Sequence, residues 1–198
     1  NLKGINQSVI YSLEANEMQQ RKLADLAMCF DLYELAYTYY YAAKKEFQTD
    51  GAWSYYASAC EAAALSSYLI DKFQRHYFEQ ALNQYLEVSK SYHLATRVAL
   101  IATDIIRETW PNEASSLFIR LTSEDSETRS ALFLEQAAKC FEKAFPSKKR
   151  KAAFHYVLAG HRYIRNGLKK LALLCYMRYS SPHWTCAIDH VNFTKSKL

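Results

Sequence analysis

The sequence is poor in glycine and proline, with 4 and 3 of its 198 residues respectively. A globular chain of this length ordinarily carries roughly 20 of the two together. β-Sandwiches and β-barrels depend on frequent turn residues, so the scarcity argues against both classes and predicts long helices. No two glycines stand closer than Gly160 and Gly167, which excludes a glycine-rich phosphate-binding loop.

A long apolar run and a strong charge of one sign are also missing. No stretch of about 18 apolar residues occurs, so no membrane-spanning helix is predicted. Lys and Arg number 25 against 20 Asp and Glu, and the net charge of +5 reads as spread along most of the chain. This mild balance is not the basic face of a dedicated nucleic-acid binder, and no nucleic-acid partner is expected.

The cysteine pattern excludes the common structural zinc site. The five cysteines are scattered along the chain and include no Cys-x-x-Cys pair: Cys29, Cys60, Cys140, Cys175 and Cys186. Their number is odd and their neighbours are mostly apolar, which indicates buried thiols in a reducing compartment. No cofactor is predicted.

What the sequence does contain is one helical pattern after another, about nine or ten in all, and no alternating strand of useful length. Residues 23–47 show apolar residues at helical spacing, and Asp50 is predicted to cap a helix that begins near Trp53. Pro111 is predicted to start a further helix at its first position. We also expect the sequence to be a fragment of a longer chain, because it lacks an initiator Met and stops within a predicted helix.

Capping residues mark the later helices. Glu124 and Asp125 suit a helix N-terminus, where the helix dipole favours negative charge. Ser147 is predicted to cap a helix over residues 148–166, and Gly167 to end it in a left-handed conformation. Ser181 and Pro182 are predicted to open the last helix, at Trp184.

Small residues recur at positions typical of tetratricopeptide-like repeats. In the second helix of such a repeat an Ala is followed by an aromatic or apolar residue four positions on. That pattern has its alanine at Ala36, Ala81, Ala114, Ala137 and Ala172, at intervals of 45, 33, 23 and 35 residues. The 23-residue interval suggests that the Ala137 helix is a first helix or an insert. The sequence therefore predicts an all-α, tetratricopeptide-like helical-hairpin solenoid over residues 1–198 as a single segment, with a compact helical bundle as the alternative.

Sixteen tyrosines are present, and four of them lie within residues 37–41. A tyrosine can bury its ring while its hydroxyl stays near water or a polar partner. We interpret most of them as residues of the solenoid core. The alternative is that some line a concave surface that binds peptides or proteins.

Candidates for chemistry are few. His183, Cys186 and His190 share one helical face and could bind zinc, although no fourth ligand is evident. Cys186 with Asp189 and His190 also has the residue types of a cysteine nucleophile and its helpers, but crowded on one helix. Glu135 and Glu142 form a possible carboxylate pair at i, i+7. Packing or solvation explains each of these groups as well, and no enzyme is predicted.

The densest charge is a basic run, Lys148, Lys149, Arg150 and Lys151. Four cations at a helix start oppose the helix dipole, so their presence suggests a use. Anionic lipid head groups or an acidic partner protein are the candidates, and a solvated loop is the alternative.

Four segments carry a family resemblance. They read LADLAMCFDLYELAYTYYYAAKKEF, LTSEDSETRSALFLEQAAKCF, KAAFHYVLAGHRY and WTCAIDHVNFT. Together they resemble the large peripheral subunits that mark the TRAPP III form of the transport protein particle. This family contains the human subunit of the eighth type and is related to yeast Trs85. The match runs from about Arg21 to Thr194.

The resemblance implies a role that composition and spacing do not show. Members are long cytosolic subunits with a helical solenoid arm. Their complex is a guanine-nucleotide exchange factor for a Rab-family GTPase in ER-to-Golgi transport and autophagy, and exchange is carried out by other, smaller subunits. This implies a non-catalytic scaffold, in contact with other transport-particle subunits and only indirectly with the Rab GTPase. It also implies peripheral attachment at Golgi, ER-Golgi intermediate and pre-autophagosomal membranes.

Motif positions of the family are matched, without a catalytic role, by Phe154, His155, Gly160, His161, Arg162, Trp184, Asp189 and His190. Gly160 is expected at a close helix crossing, and His161 and Arg162 are expected to hydrogen-bond neighbouring helix ends. The alternative function is a tetratricopeptide-like adaptor that binds peptides or proteins in another trafficking or chaperone system.

Overall fold

The regular secondary structure of the described part of the chain is entirely helical. A computed structural model describes residues 9–122, 126–178 and 188–197, apart from the side chain of His190. These ranges contain ten α-helices, one π-helical segment and no strand. The elements are α1 (Asn16–Cys29), α2 (Tyr33–Thr49), α3 (Trp53–Leu69), α4 (His76–Asn83), the π segment (Gln84–Val88), α5 (Tyr92–Ile106), α6 (Pro111–Arg120), α7 (Glu127–Lys143), α8 (Lys149–Arg165), α9 (Lys169–Arg178) and α10 (Ile188–Lys197). The predicted all-α class is confirmed.

The helices group into two units, Asn1–Val98 and Ala99–Leu198, and α5 belongs partly to each. In the first unit α1 packs on α2, α2 on α3, and α3 on both α4 and the π segment. In the second unit α6 packs on α7, α7 on α8, α8 on α9, and α9 on α10. Short connections make such neighbours antiparallel, so each unit is a series of helical hairpins, as in helical-repeat proteins. That residues 1–198 form a single segment of one solenoid stays a prediction.

The alanines that define the repeat pattern are all in the core. Ala36, Ala81, Ala114, Ala137 and Ala172 are each 0% exposed. A methyl group at these positions lets helices approach closely, whereas a larger side chain would hold them apart. Their burial agrees with the role that the spacing predicts.

A break in the first helical stretch was not predicted. Residues 23–47 are divided between α1 and α2, because Asp31 adopts φ +59° and turns the chain. The Asp31 N–H donates to Met28 O at 3.3 Å, and the Leu32 N–H donates to Ala27 O at 2.9 Å. These two bonds form a Schellman cap, which usually has a glycine where Asp31 stands. Residues 23–47, whose apolar residues show helical spacing, therefore form parts of two helices joined by a turn at Asp31.

Three more helices end with the same pair of bonds, at Gly51, Asp71 and Gly167. The stop at Gly167, with φ +76°, is as predicted from the sequence. Glycine adopts this conformation without steric cost, and aspartate is one of the few other residues that visits it.

Two predicted N-terminal caps are wrong. Ala52 precedes α3 without a side-chain cap, and the Asp50 carboxylate instead accepts a hydrogen bond from Tyr11 Oη at 2.8 Å. Lys148 precedes α8, and Ser147 Oγ donates to Glu142 O at 3.1 Å.

Of the other predicted helix starts, one is confirmed and the rest lie outside the described residues. Pro111 begins α6, as predicted. The N-cap of α7 is Ser126, which accepts from Arg129 N at 3.4 Å. Glu124, Asp125, Ser181, Pro182 and Trp184 lie outside the described residues.

Tyrosine rings make up much of the core. At most 6% of the residue surface is exposed at Tyr40, Tyr56, Tyr77, Tyr85, Tyr156, Tyr163 and Tyr176. The Tyr40 hydroxyl donates to Asp25 Oδ1 at 2.7 Å, so the ring is buried while its polar end reaches a carboxylate. The core interpretation holds for these seven of the sixteen tyrosines, whereas Tyr41, Tyr68 and Tyr92 are exposed. A concave peptide-binding surface stays a prediction.

Candidate functional site

The basic run follows a connection that is fixed against α7. Helix α7 ends at Lys143, and Ala144 turns to an extended conformation with ψ 143°. Pro146 cannot donate a backbone hydrogen bond and does not extend the helix. The Lys148 N–H then donates to Phe141 O at 3.0 Å, which returns the chain to the last turn of α7 and starts α8. The predicted basic residues are thus brought together at one end of the α7–α8 hairpin.

None of the four cations is neutralised by a carboxylate of the described residues. Lys149, Arg150 and Lys151 are exposed and Lys148 is partly exposed, and no ion pair involves any of them within the part of the chain that the structure describes. Lys151 Nζ lies 5.7 Å from the centroid of the Phe141 ring. Within the described residues, the positive charge of the basic run is therefore not offset by an ion pair.

A stronger signal in the sequence was missed. Between Lys143 and Ile188 there are ten Lys and Arg and no Asp or Glu, whereas residues 1–142 contain thirteen Lys and Arg and nineteen Asp and Glu. The interpretation of the charge as spread along the chain is therefore wrong. Charge counted by segment would have found this carboxylate-free stretch.

Several other cations of the carboxylate-free stretch have structural partners. Lys143 Nζ lies 3.0 Å from Glu108 Oε1. The guanidinium groups of Arg162 and Arg165 lie 3.1 and 3.4 Å from the Glu127 carboxylate. The exposed cations of this stretch that have no ion pair within the described residues lie in the basic run, at the start of α9 and at Arg178, which donates to Tyr156 Oη.

Two identical tyrosine–glutamate bonds fix the register of α7 against α8. Tyr156 Oη donates to Glu142 Oε2 at 2.9 Å, and Tyr163 Oη donates to Glu135 Oε2 at 3.1 Å. The partners are seven residues apart in both helices, which is two turns of an antiparallel pair. The predicted carboxylate pair, Glu135 and Glu142, thus has a structural partner for each member.

Gly160 lies where α8 meets α9. A Cβ atom at this position would lie 2.7 Å from Tyr176 Cε1 and 2.8 Å from Tyr176 Cζ. Tyr176 Oη lies within hydrogen-bond distance of His161 Nδ1, at 2.8 Å. His161 thus contacts the side chain of Tyr176 in the last turn of α9, and Arg162 reaches the first residue of α7, Glu127.

The remaining motif positions are surface residues or lie outside the description. Phe154 is 46% exposed, and Asp189 is exposed on α10. His190 lies in α10, but its side chain is not described, and Trp184 lies outside the described residues.

His155 links the basic run to the core. Its ring lies between Phe141 and Phe154, with centroid distances of 5.2 and 5.3 Å. Its Nδ1 lies 2.7 Å from Lys151 O, so the tautomer with a proton on Nδ1 donates to that carbonyl. Burial lowers the pKa of His155, the hydrogen bond to the Lys151 carbonyl opposes this, and the Lys151 charge adds to the lowering.

Acidification is therefore expected to destabilise the second unit through His155. Because the native pKa lies below the unfolded value of about 6.5, the unfolded chain binds the proton more readily, and stability is lost as pH falls through that window. Urea unfolding at pH 7.5 and pH 5.5 would measure the loss in the native chain and in His155→Gln, which cannot titrate. The native chain should lose more stability than the variant, and equal losses would contradict the assignment.

The thiols of the described core are suited to packing. Burial raises the pKa of Cys60 to about 11 and that of Cys175 to about 12, and it also raises the pKa of Cys140. Thiolates are the reactive form, so these three cysteines are poor nucleophiles near neutral pH. Cys29 is exposed.

Within the described ranges, no group of three or more His, Cys, Asp or Glu side chains is placed so that it could bind a metal ion. The predicted zinc candidate includes His183 and Cys186, which lie outside those ranges, as does the Cys186 of the nucleophile candidate. Within the described part of the chain, no helix is both long enough and apolar enough to cross a bilayer.

Comparison with known proteins identifies the family. Residues 3–109, more than half of the chain, match the model of the family described as ER-Golgi trafficking TRAPP I complex 85 kDa subunit, TRAPPC-Trs85. The chain belongs to the TRAPPC-Trs85 family. The family resemblance seen in the four sequence segments is thereby confirmed.

Relatives extend the similarity beyond the matched residues. The chain is 44% identical over 195 residues to human trafficking protein particle complex subunit 8, which covers 94% of this chain and 14% of the human protein. It is 26% identical over 196 residues to the Caenorhabditis elegans protein of the same name, covering 92% of this chain and 15% of that protein. The TRAPPC-Trs85 chain described here thus spans about one seventh of the length of these relatives.

Proposed function

We propose that this chain is part of the helical arm of a non-catalytic subunit in a TRAPP III-type complex. The complex is a guanine-nucleotide exchange factor for a Rab-family GTPase in ER-to-Golgi transport and autophagy. The observation that carries the proposal is the 44% identity, over 94% of the chain, to a human protein named as a trafficking particle subunit. Its partners are the other subunits, with the Rab GTPase contacted indirectly, and its location is peripheral, at Golgi, ER-Golgi intermediate and pre-autophagosomal membranes.

The packing supports a structural role for this part of the subunit. Glu135 and Glu142 bind tyrosine hydroxyls, Glu127 binds two arginines, and the thiols of Cys60 and Cys175 are buried. These groups hold helices together, and the helical hairpins present extended surfaces on which other chains can dock.

An exchange assay separates a scaffold role from a catalytic one. The complex would be purified with and without the full-length subunit that contains this chain, and release of a fluorescent nucleotide from the Rab GTPase would be followed in solution and on anionic vesicles. The proposal predicts that the complex without the subunit keeps its exchange rate in solution and loses rate on vesicles. A loss of exchange in solution would contradict it.

The basic run is proposed to contact the membrane. Each Lys or Arg near an anionic lipid surface contributes about 1 kcal/mol to binding. Reversal of all four charges to glutamate is therefore expected to weaken binding to vesicles of phosphatidylcholine and phosphatidylserine by at least several hundredfold. Co-sedimentation at physiological salt measures the effect.

A matched pair of double variants controls for net charge. Lys149→Glu with Arg150→Glu removes two cations of the basic run, and Lys169→Glu with Lys170→Glu removes two exposed cations at the start of α9. Both pairs change the net charge equally, but only the first is expected to weaken binding strongly. Equal weakening by both pairs, or unchanged binding of the fourfold variant, would contradict a contact through the basic run.

A further inference from the structure

Phe145 presents its ring to solvent beside the basic run. The residue is 98% exposed, more than any other large apolar residue of the described chain. Singly exposed apolar residues are ordinary, so exposure alone identifies no site. Phe145 differs from other exposed apolar residues because it lies in a fixed connection and next to cations that have no ion pair within the described residues.

The connection holds Phe145 outward from both sides. Before it, Ala144 is 3% exposed and its N–H donates to Cys140 O at 3.1 Å. After it, Ser147 Oγ donates to Glu142 O at 3.1 Å, and the Lys148 N–H donates to Phe141 O at 3.0 Å. The residues on both sides are thus attached to the last turn of α7, and Phe145 projects from the hairpin end at a defined place.

The surroundings combine apolar and positive groups. The Cα atoms of Phe145 and Lys148 are at most about 10 Å apart, because a chain spans no more than about 3.5 Å per residue. Phe154 is 46% exposed on α8, one turn after Arg150 and therefore on the same face. Two exposed rings and four cations without ion pairs in the described residues thus occupy one end of the hairpin.

We propose that the Phe145 ring inserts into the head-group layer of an anionic lipid bilayer while the basic run binds the lipid phosphates. The proposal rests on the membrane contact proposed above and adds an apolar anchor to it. A bilayer surface offers negative charge at the head groups and an apolar layer just beneath, which is the order in which the cations and the ring are presented. A nucleic acid would require a groove lined by stacking rings, whereas the Phe145 ring is 98% exposed at the end of a hairpin.

Three variants of the 198-residue chain test the insertion. Phe145→Ser removes the anchor and is expected to weaken binding to phosphatidylcholine–phosphatidylserine vesicles by about tenfold. Phe30→Ser is the matched control, because Phe30 is also highly exposed, at 73%, but neighbours Asp31 instead of a basic run. Phe145→Trp keeps a ring and should bind like the native chain, and circular dichroism melting confirms that each variant folds.

Quenching of tryptophan fluorescence by brominated lipids measures directly how deeply residue 145 enters the bilayer. Trp53, Trp110 and Trp184 are common to all the proteins, so the added quenching in Phe145→Trp reports the new side chain alone. The proposal predicts added quenching and a selective loss of binding in Phe145→Ser. Loss of binding in the fourfold charge reversal with native binding in Phe145→Ser would overturn insertion and leave the basic contact standing. Absence of vesicle binding by the native chain, or binding of polyuridylate in its place, would overturn both.

Discussion

Replacing Gly160 with valine is expected to lower the free energy of unfolding of the second unit by about 3 kcal/mol, as overpacking of a full core does. The Cβ atom would lie 2.7 Å from Tyr176 Cε1, closer than carbon atoms approach without displacement. The Tyr176 ring cannot easily give way, because it is 0% exposed and its hydroxyl is bonded to His161. Urea unfolding followed by circular dichroism measures the loss.

A smaller substitution at the same residue, Gly160→Ala, serves as the control, because its effect on stability should change sign when Tyr176 is replaced. Gly160→Ala should be destabilising in the native chain, where overpacking outweighs the gain of about 1 kcal/mol in helix propensity. In a Tyr176→Leu background the ring is gone, and the same Gly160→Ala change should be stabilising. If Gly160→Ala stabilised the native chain, α8 and α9 would not cross closely at this residue.

The second large effect is expected in the first unit, where removal of the Arg97 side chain should lower the free energy of unfolding. Arg97 Nε and Nη2 lie 2.9 and 2.5 Å from the two oxygens of Glu61, whose side chain is only 7% exposed. Arg97→Met leaves this buried carboxylate without its partner. The expected loss is about 2 kcal/mol, less than for a fully buried pair because the Arg97 side chain is 52% exposed.

Two controls make the Arg97 prediction specific. Arg107 has the same 52% side-chain exposure, but its partners Asp104 and Glu108 are 75% and 66% exposed, so Arg107→Met should cost less than about 0.5 kcal/mol. Replacing Glu61 with leucine in the Arg97→Met variant removes the stranded charge and should restore most of the stability. Equal losses for Arg97→Met and Arg107→Met would contradict the importance of burial at Glu61.

The fold was predictable from the sequence where one residue type decides the local structure. Pro111 starts a helix and Gly167 ends one, because each has a backbone preference that few residues share. The break at Asp31 was harder to find, because aspartate takes the left-handed conformation only when capping bonds and packing favour it. The sequence of residues 23–47 therefore predicted helical spacing without revealing its interruption.

The candidate site was predictable in its charge and not in its shape. The basic run is visible in the sequence, and so is the carboxylate-free stretch that surrounds it, although only the run was recognised. The exposure of Phe145 depends on how the connection is tied to α7, which no local pattern shows.

The two tyrosine–glutamate hydrogen bonds could not be predicted without knowing how α7 and α8 are aligned. Glu135 and Glu142 show a seven-residue spacing, and so do Tyr156 and Tyr163. The bonds become predictable only once α7 and α8 are known to be antiparallel neighbours.

Co-purification tests the central claim most directly. The full-length protein that contains this chain would be affinity-purified from cytosol, and the co-purifying chains would be identified and quantified. Membership of a TRAPP III-type complex predicts recovery of the small transport-particle core subunits in stoichiometric amounts. Recovery of the protein without any core subunit would contradict the account, and a tetratricopeptide-like adaptor would then be the function to test.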